Sequence, residues 1–222
     1  MSTESTAEEV HQNYVDAMGP ELGNLFFRFW NECVTLHWKW EEYVALFGKN
    51  AETVALLNKS AGAFFRIVQD MLFEDVLIHI SRLTDPPKSA GKSNLTLRRL
   101  PVLIAGPLRK DLDRLLAECE AKCAFARDWR MRRIAHNDLE LALGDPHAVP
   151  LASASRRAVN EALKSIAALL NAVEMHFKNS TVMYELHPLG NAESLLYVLR
   201  DGLRAEEKRH ERLRSGRYDP ED

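Results

Sequence analysis

Between residues 60 and 84, apolar side chains return every three or four positions: Phe64, Ile67, Val68, Met71, Leu72, Val76, Leu77 and Ile80. A period near 3.6 held over that length points to a helix, because a strand would alternate every second residue. The period recurs over 20–47 (Leu22, Phe26, Trp30, Val34, Trp38, then Tyr43 and Leu46) and over 108–135 (Leu108, Leu112, Leu115, Leu116, Cys119, Cys123, Trp129, Ile134). It recurs again from Ser153 or Ser155 to about 178 (Val159, Leu163, Ile166, Leu169, Leu170, Val173). Breakers fall between these runs, at Gly19-Pro20, Pro86-Pro87, Gly106-Pro107, Gly144-Asp145-Pro146 and His187-Pro188-Leu189-Gly190. Strands, internal repeats and low-complexity tracts do not stand out. The expected fold class is all-α, a bundle of long antiparallel helices with 60–84 as its core helix and a C-terminal helical extension.

Lesser elements complete the pattern. Residues 1–6 read as disordered, 7–17 and 51–58 as short helices, and 86–94 as a mobile loop. Ser93 or Asn94 is placed to cap a short helix ending near 104, and 139–152 is rich in turn residues. The last helix, about 192–214, is apolar first and charge-dense afterwards, which reads as a solvated face. These breaks suggest an arm over 1–19, a main helical domain over 20–180, and a C-terminal helix with charged tail over 181–222.

Composition narrows the function classes. The 222 residues are 46% apolar, enough for one sizeable core. The net charge of −3 does not advertise nucleic acid as a ligand, so any such role must rest on a local basic patch. Three cysteines (Cys33, Cys119, Cys123) do not make a disulfide framework. Cys119 and Cys123 share a helix face without further ligands nearby, so no metal is expected, and no cofactor signature is present. Gly91-Lys92-Ser93 lacks the first glycine and the strand of a phosphate-binding loop. The N-terminus carries no apolar signal core and no run reaches membrane-spanning length. A cytoplasmic protein without membrane association is expected.

One stretch offers chemistry. Arg127, Arg130, Arg132 and Arg133 place four arginines in seven positions, followed at once by His136, Asn137 and Asp138. Arginine clamps phosphate through a fixed fork of donors, and histidine changes charge near working pH. Together they can cut a phosphodiester without a metal. Cations near a helix C-terminus are also favoured by the macrodipole, so a helix end alone accounts for the composition. On an ideal helix Arg132 and Arg133 lie about 40° and 60° from His136, and Arg130 about 120° away. Plain geometry therefore favours Arg132 or Arg133 as partners of the histidine. At the end of the core helix, Arg82 and Asp85 are spaced for an ion pair, or Arg82 adds a phosphate contact. The aromatic run of 20–47 suits a core or a dimer interface.

Arg130-x5-His136 fits an R-x(4–6)-H signature, and the block Arg130 to Asp138 resembles the R-N-K-x-x-A-H-x-D block of AbiU-type (abortive infection) HEPN proteins. Ile80-Ser81-Arg82-Leu83-Thr84-Asp85-Pro86, Trp40-x2-Tyr43-x2-Leu46-Phe47-Gly48 and Leu57-Asn58 resemble further blocks of that family, in order, over roughly 20–180. The resemblance implies a HEPN-like helical bundle, usually dimeric, whose Arg and His from both subunits face a shared cleft. It implies a metal-independent endoribonuclease of phage defence, abortive infection or toxin–antitoxin systems, acting on RNA, with an antitoxin or regulatory partner. Arg130 and His136 would then be catalytic, with Arg133, Arg132, Asp138, Asn137 and Arg82 supporting them or binding phosphate. Asp138 would orient the imidazole or cap the next turn. It also stands where some relatives carry a modified tyrosine, so that regulation is not expected. The residue after the motif arginine is usually polar in the family and here is Met131. The alternative is therefore a silent scaffold that binds RNA, nucleotide or a protein partner.

Overall fold

The computed structural model describes residues 6–185 and 191–216. The readings for residues 1–5 and for the break at 187–190 lie outside it. The described chain is helical almost throughout: α1 (Ala7–Met18), α2 (Pro20–Tyr43) running into a π turn (Val44–Gly48), α3 (Ala51–Leu83), α4 (Leu100–Leu103), α5 (Pro107–Lys122), α6 (Ala124–Trp129), a second π turn (Arg130–Ile134), α7 (Leu139–Leu143), α8 (Arg156–Lys178) and α9 (Asn191–Arg214). The all-α expectation holds.

Starts and stops follow local chemistry. Thr6 and Glu9 form a reciprocal capping box at α1. Ser155 caps α8 by accepting the Ala158 amide at 3.2 Å. Pro20 and Pro107 occupy the first positions of α2 and α5.

Two compact units are present: residues 1–37 with 74–185, and residues 38–73 with 186–222. In the first, α5 and α8 pack along each other. The predicted stripe of α8 is fully buried, from Val159 through Ile166 to Val173. The buried stripe of α2 in this unit is Leu22, Phe26, Phe29, Cys33 and Leu36, not the strict four-residue ladder through Trp30 and Val34. Steps of four overshoot a 3.6-residue turn by about 40° each, so Trp30 and Val34 drift to the rim. In the second unit Trp38, the last rung of that ladder, is exposed, whereas Trp40 is buried.

Helix α1 lies against α2 at Gly23. A Cβ there would meet the Tyr14 carbonyl oxygen and Val15 Cα at 2.6 Å, both backbone atoms that cannot step aside. Gly23→Ala is expected to destabilise the fold by about 1–3 kcal/mol, read as a lowered urea midpoint at unchanged slope.

His37 is buried, stacked on Tyr184 with ring centroids 5.8 Å apart. Burial holds its imidazole below the ordinary value, against opposing contributions from Glu185 and a bond to the Leu163 carbonyl. The unfolded chain therefore takes up a proton that the native state resists. The stability this confers is complete above the unfolded value near pH 6.5 and is lost as pH falls from there toward the lowered folded value, at up to about 1.4 kcal/mol per pH unit. His37→Phe keeps the stack and should show a smaller drop in urea midpoint between about pH 7 and about pH 5.5 than the wild type.

The second unit is small. Its buried apolar cluster is Leu46, Leu57, Phe65, Ala192 and Leu196. The predicted 51–58 and 60–84 helices both form: α3 is two helical segments that meet at a kink, where the backbone of Ala61 is non-helical. Its expected role as a core helix holds for Val76, Leu77 and Ile80, which are buried in the first unit. In the second unit Phe64, Ile67 and Met71 are instead exposed, at 60%, 58% and 65%.

The 86–94 segment is a small antiparallel hairpin, not a featureless loop. Strands β1 (Lys88–Ser89) and β2 (Lys92–Ser93) pair across a turn with Ala90 and Gly91 both at positive φ. Asn94 closes it by donating to the Pro86 carbonyl at 2.8 Å and to Ser89 Oγ at 2.9 Å. The cap that follows is Thr96, one turn before α4, not Ser93 or Asn94.

Candidate functional site

The arginine cluster is delivered by a helix that does not run straight. The predicted 108–135 helix breaks at Cys123 and becomes a π turn at Arg130, where the Ala135 amide donates to the Arg130 carbonyl at 2.8 Å. No Gly or Pro marks the break. Cys119, Cys123, Phe125 and Ala126 are buried on both sides of it, so packing overrides helix continuity. π turns are rare and concentrate at functional sites. The ideal-helix angles that favoured Arg132 or Arg133 do not apply here.

The C-terminal end of α3 receives the arginines. Arg130 Nη1 donates to both Asp85 carboxylate oxygens, at 2.8 and 2.6 Å, and to Ser81 Oγ at 3.4 Å. Asp85 is 18% exposed and Arg130 32%, so the pair is largely shielded from water. Arg127 Nη2 donates to the Thr84 carbonyl at 3.3 Å and to Thr84 Oγ1 at 3.0 Å. Arg98 Nε reaches the same carbonyl at 3.2 Å and Glu120 at 2.8 Å. Cations thus fill the places where a helix end leaves carbonyls without donors.

The expected Arg82–Asp85 pair is not what forms. Asp85 is taken by Arg130, and Arg82 Nη2 lies 3.6 Å from Glu32, whose other close neighbour is His79 Nε2 at 2.7 Å. Asp85 carries its own signal in the sequence. An anion at a helix C-terminus is disfavoured by the dipole, so its presence implies a cation from elsewhere in the chain.

Arg132 is also engaged. It approaches Asp128 at 3.5 Å and Asp138 at 3.4 Å, and donates to the Val149 carbonyl at 2.6 Å. Asp128 accepts the Ala152 amide at 2.8 Å, and the Trp129 ring N–H donates to the Ala152 carbonyl at 2.7 Å. These bonds sew the 139–152 segment to α6. Asp138 caps α7, accepting the Leu141 amide at 3.2 Å. That bond, then Arg132, holds its carboxyl below the usual carboxylate range. Of its two expected roles, capping is the one the geometry displays.

Arg133, His136 and Asn137 are exposed at the end of the π turn, beside Met131, which is 54% exposed. The site therefore combines one braced arginine, Arg130, with an accessible Arg133 and an accessible imidazole. This set can bind an anion and move a proton. Among the described residues, no group of three His, Cys, Asp or Glu side chains is placed to hold a metal ion, and the three cysteines are buried free thiols. No described helix is long and apolar enough to cross a membrane.

No curated protein and no solved structure matches the chain. Residues 19–195 match the HEPN_AbiU2 (AbiU2) family. That span holds the Arg130–Asp138 segment, its receptor at Ser81–Asp85, and the greater part of both compact units. The chain belongs to the HEPN_AbiU2 family.

Proposed function

We propose that the protein is a metal-independent endoribonuclease, acting in abortive infection or a toxin–antitoxin setting. The observation that carries this reading is the bracing of Arg130. Asp85 and Ser81 take one terminal nitrogen, Nη1, and leave the rest of a planar fork to meet a phosphate oxygen. Arg133 adds a second charge at the scissile phosphate. His136 removes the 2′-hydroxyl proton, the 2′-oxygen attacks phosphorus, and the 5′-oxygen leaves with a proton from a second acid. In a homodimer that acid is His136 of the second copy, since one imidazole cannot fill both roles in one step. The products are a 2′,3′-cyclic phosphate and a 5′-hydroxyl.

The test is incubation with cellular RNA in EDTA, with end-group analysis. Cleavage that leaves cyclic phosphate ends supports the reading. Cleavage that survives His136→Ala at full rate overturns it.

A second reading is a binding scaffold without catalysis. It is favoured by Met131 at the motif's polar position and by the number of arginines already engaged: Arg127 on Thr84, Arg130 on Asp85, Arg132 on Asp128 and Asp138. RNA retained but uncut by purified protein would favour this reading.

A further inference from the structure

We propose that the solvent face of α9 from Tyr197 to Arg212 is a docking surface for single-stranded RNA, which holds phosphates through Arg204 and Lys208 and stacks a base on Tyr197. The inference rests on the reading of the protein as one that acts on RNA, and it locates affinity that the Arg130–His136 site does not supply. At that site Arg127, Arg130 and Arg132 are already held by the fold, and the chain carries a net charge of −3. Affinity for nucleic acid comes largely from cations that displace counter-ions from phosphate. A local basic surface elsewhere must provide them.

Helix α9 has such a surface. Ala192 and Leu196 are buried on one side of it. Arg204, Lys208, Arg209 and Arg212 fall on the opposite side, within an arc of about 140°. They line an open concavity of about 660 Å³ in which the opposite charges are Asp201 and Glu206 alone. Glu207 is turned instead to Lys59 of α3. Asp201 lies 3.5 Å from Arg204 in a pair whose side chains are 77% and 67% exposed, and such pairs hold an arginine only loosely.

The charge pattern is not that of a merely solvated helix. Arg200, Arg204, Lys208 and Arg212 stand at successive i, i+4 positions, each about 6 Å further along the axis. Like charges at this spacing repel, whereas alternating signs would support the helix. The macrodipole accounts for cations in the last turn, Arg212 and Arg214, but not for Arg204 and Lys208 further back. A polyanion laid along the face relieves the repulsion, and the rise per step is close to the separation of neighbouring phosphates on an extended strand. Tyr197 is 64% exposed on the same line, with the Arg200 guanidinium 5.7 Å from its ring centroid. Cations that track a backbone beside an aromatic ring that takes a base are what a single strand requires. Between Asp201 and Arg212 the face offers no apolar side chain larger than Ala205, so it lacks the apolar centre of a protein interface.

The test is fluorescence anisotropy on the full chain with a 2′-O-methyl oligonucleotide, which has no free 2′-hydroxyl to attack phosphorus. Wild type is expected to bind it with a steep salt dependence. Arg204→Gln combined with Lys208→Gln removes two phosphate contacts. The slope of log K against log salt should flatten by about 0.7 for each, and affinity in about 0.1 M salt should fall about 25-fold. Tyr197→Ala should weaken binding at least about fivefold and leave the slope unchanged, because stacking releases no counter-ion. All three residues are exposed, so helical circular dichroism should match the wild type. A wild type that does not bind the probe overturns the proposal, and so does a double variant that keeps the wild-type slope. Wild-type affinity in Tyr197→Ala overturns it as well. Displacement of the probe by polyglutamate at equal charge concentration would assign the face to an acidic protein instead. Cleavage of ordinary RNA is read separately. Binding through α9 without cleavage leaves this inference standing and removes the catalytic reading, whereas cleavage with an unchanged slope removes this inference alone.

Discussion

His136→Ala is expected to lower RNA cleavage by about 10²–10⁴-fold, the usual worth of a positioned proton-transfer group, and to leave stability within about 0.5 kcal/mol. The two halves of this prediction come from the same fact. The imidazole is exposed at the end of the π turn, so its removal opens no cavity and orphans no buried donor. Rate loss without stability loss is the signature of a group that acts on substrate. The measurement pairs initial cleavage rates in EDTA with urea unfolding of the same preparations. Equal rates would remove His136 from the chemistry. A large fall in stability would mean that the imidazole has a structural partner after all.

Arg130→Ala is expected to do both kinds of damage. Its guanidinium balances Asp85, which is only 18% exposed. Deleting one partner of a fully buried pair costs about 3–5 kcal/mol, whereas exposed pairs contribute about 0–1 kcal/mol. A pair one-third open on the arginine side belongs between these limits, at about 1–3 kcal/mol. Cleavage should fall by about 10²–10³-fold, in the range seen when one preorganised charge-stabilising donor is lost. The contribution to folding separates from the contribution to chemistry in a cycle with Asp85→Asn. Asp85→Asn keeps an acceptor for Nη1 and removes the charge, so the stability cost of Arg130→Ala should shrink in its presence while the rate cost remains. Were the rate cost to shrink in parallel, Arg130 would act on activity only by holding the fold.

The helices were legible because their punctuation is local. Pro20, Pro107 and Ser155 each state a boundary within a few residues of themselves. Periodicity likewise revealed an apolar stripe on α3. It did not say what would cover that stripe, and Phe64, Ile67 and Met71 turned out exposed beside a buried Phe65. The site followed the same division. The cluster at 127–138 was visible from its residue types. Its wiring was not, because the partner of Arg130 lies 45 residues away at Asp85 and that of Arg127 lies 43 away at Thr84. The basic patch counted from sequence is largely spent inside the fold, which composition cannot reveal. The π turn was missed for a related reason: ideal-helix angles assume no extra residue, and one is accommodated between Arg130 and Ala135.

That extra residue is a place where length can change. A π turn holds one residue more than an α turn over nearly the same rotation, so deleting the exposed Met131 would let the turn close to α geometry and leave Asp138 beside Arg132 and Arg132 on the Val149 carbonyl. A deletion from the regular turns of α6 has no such slack and would swing the segment that follows by about 100° around the axis.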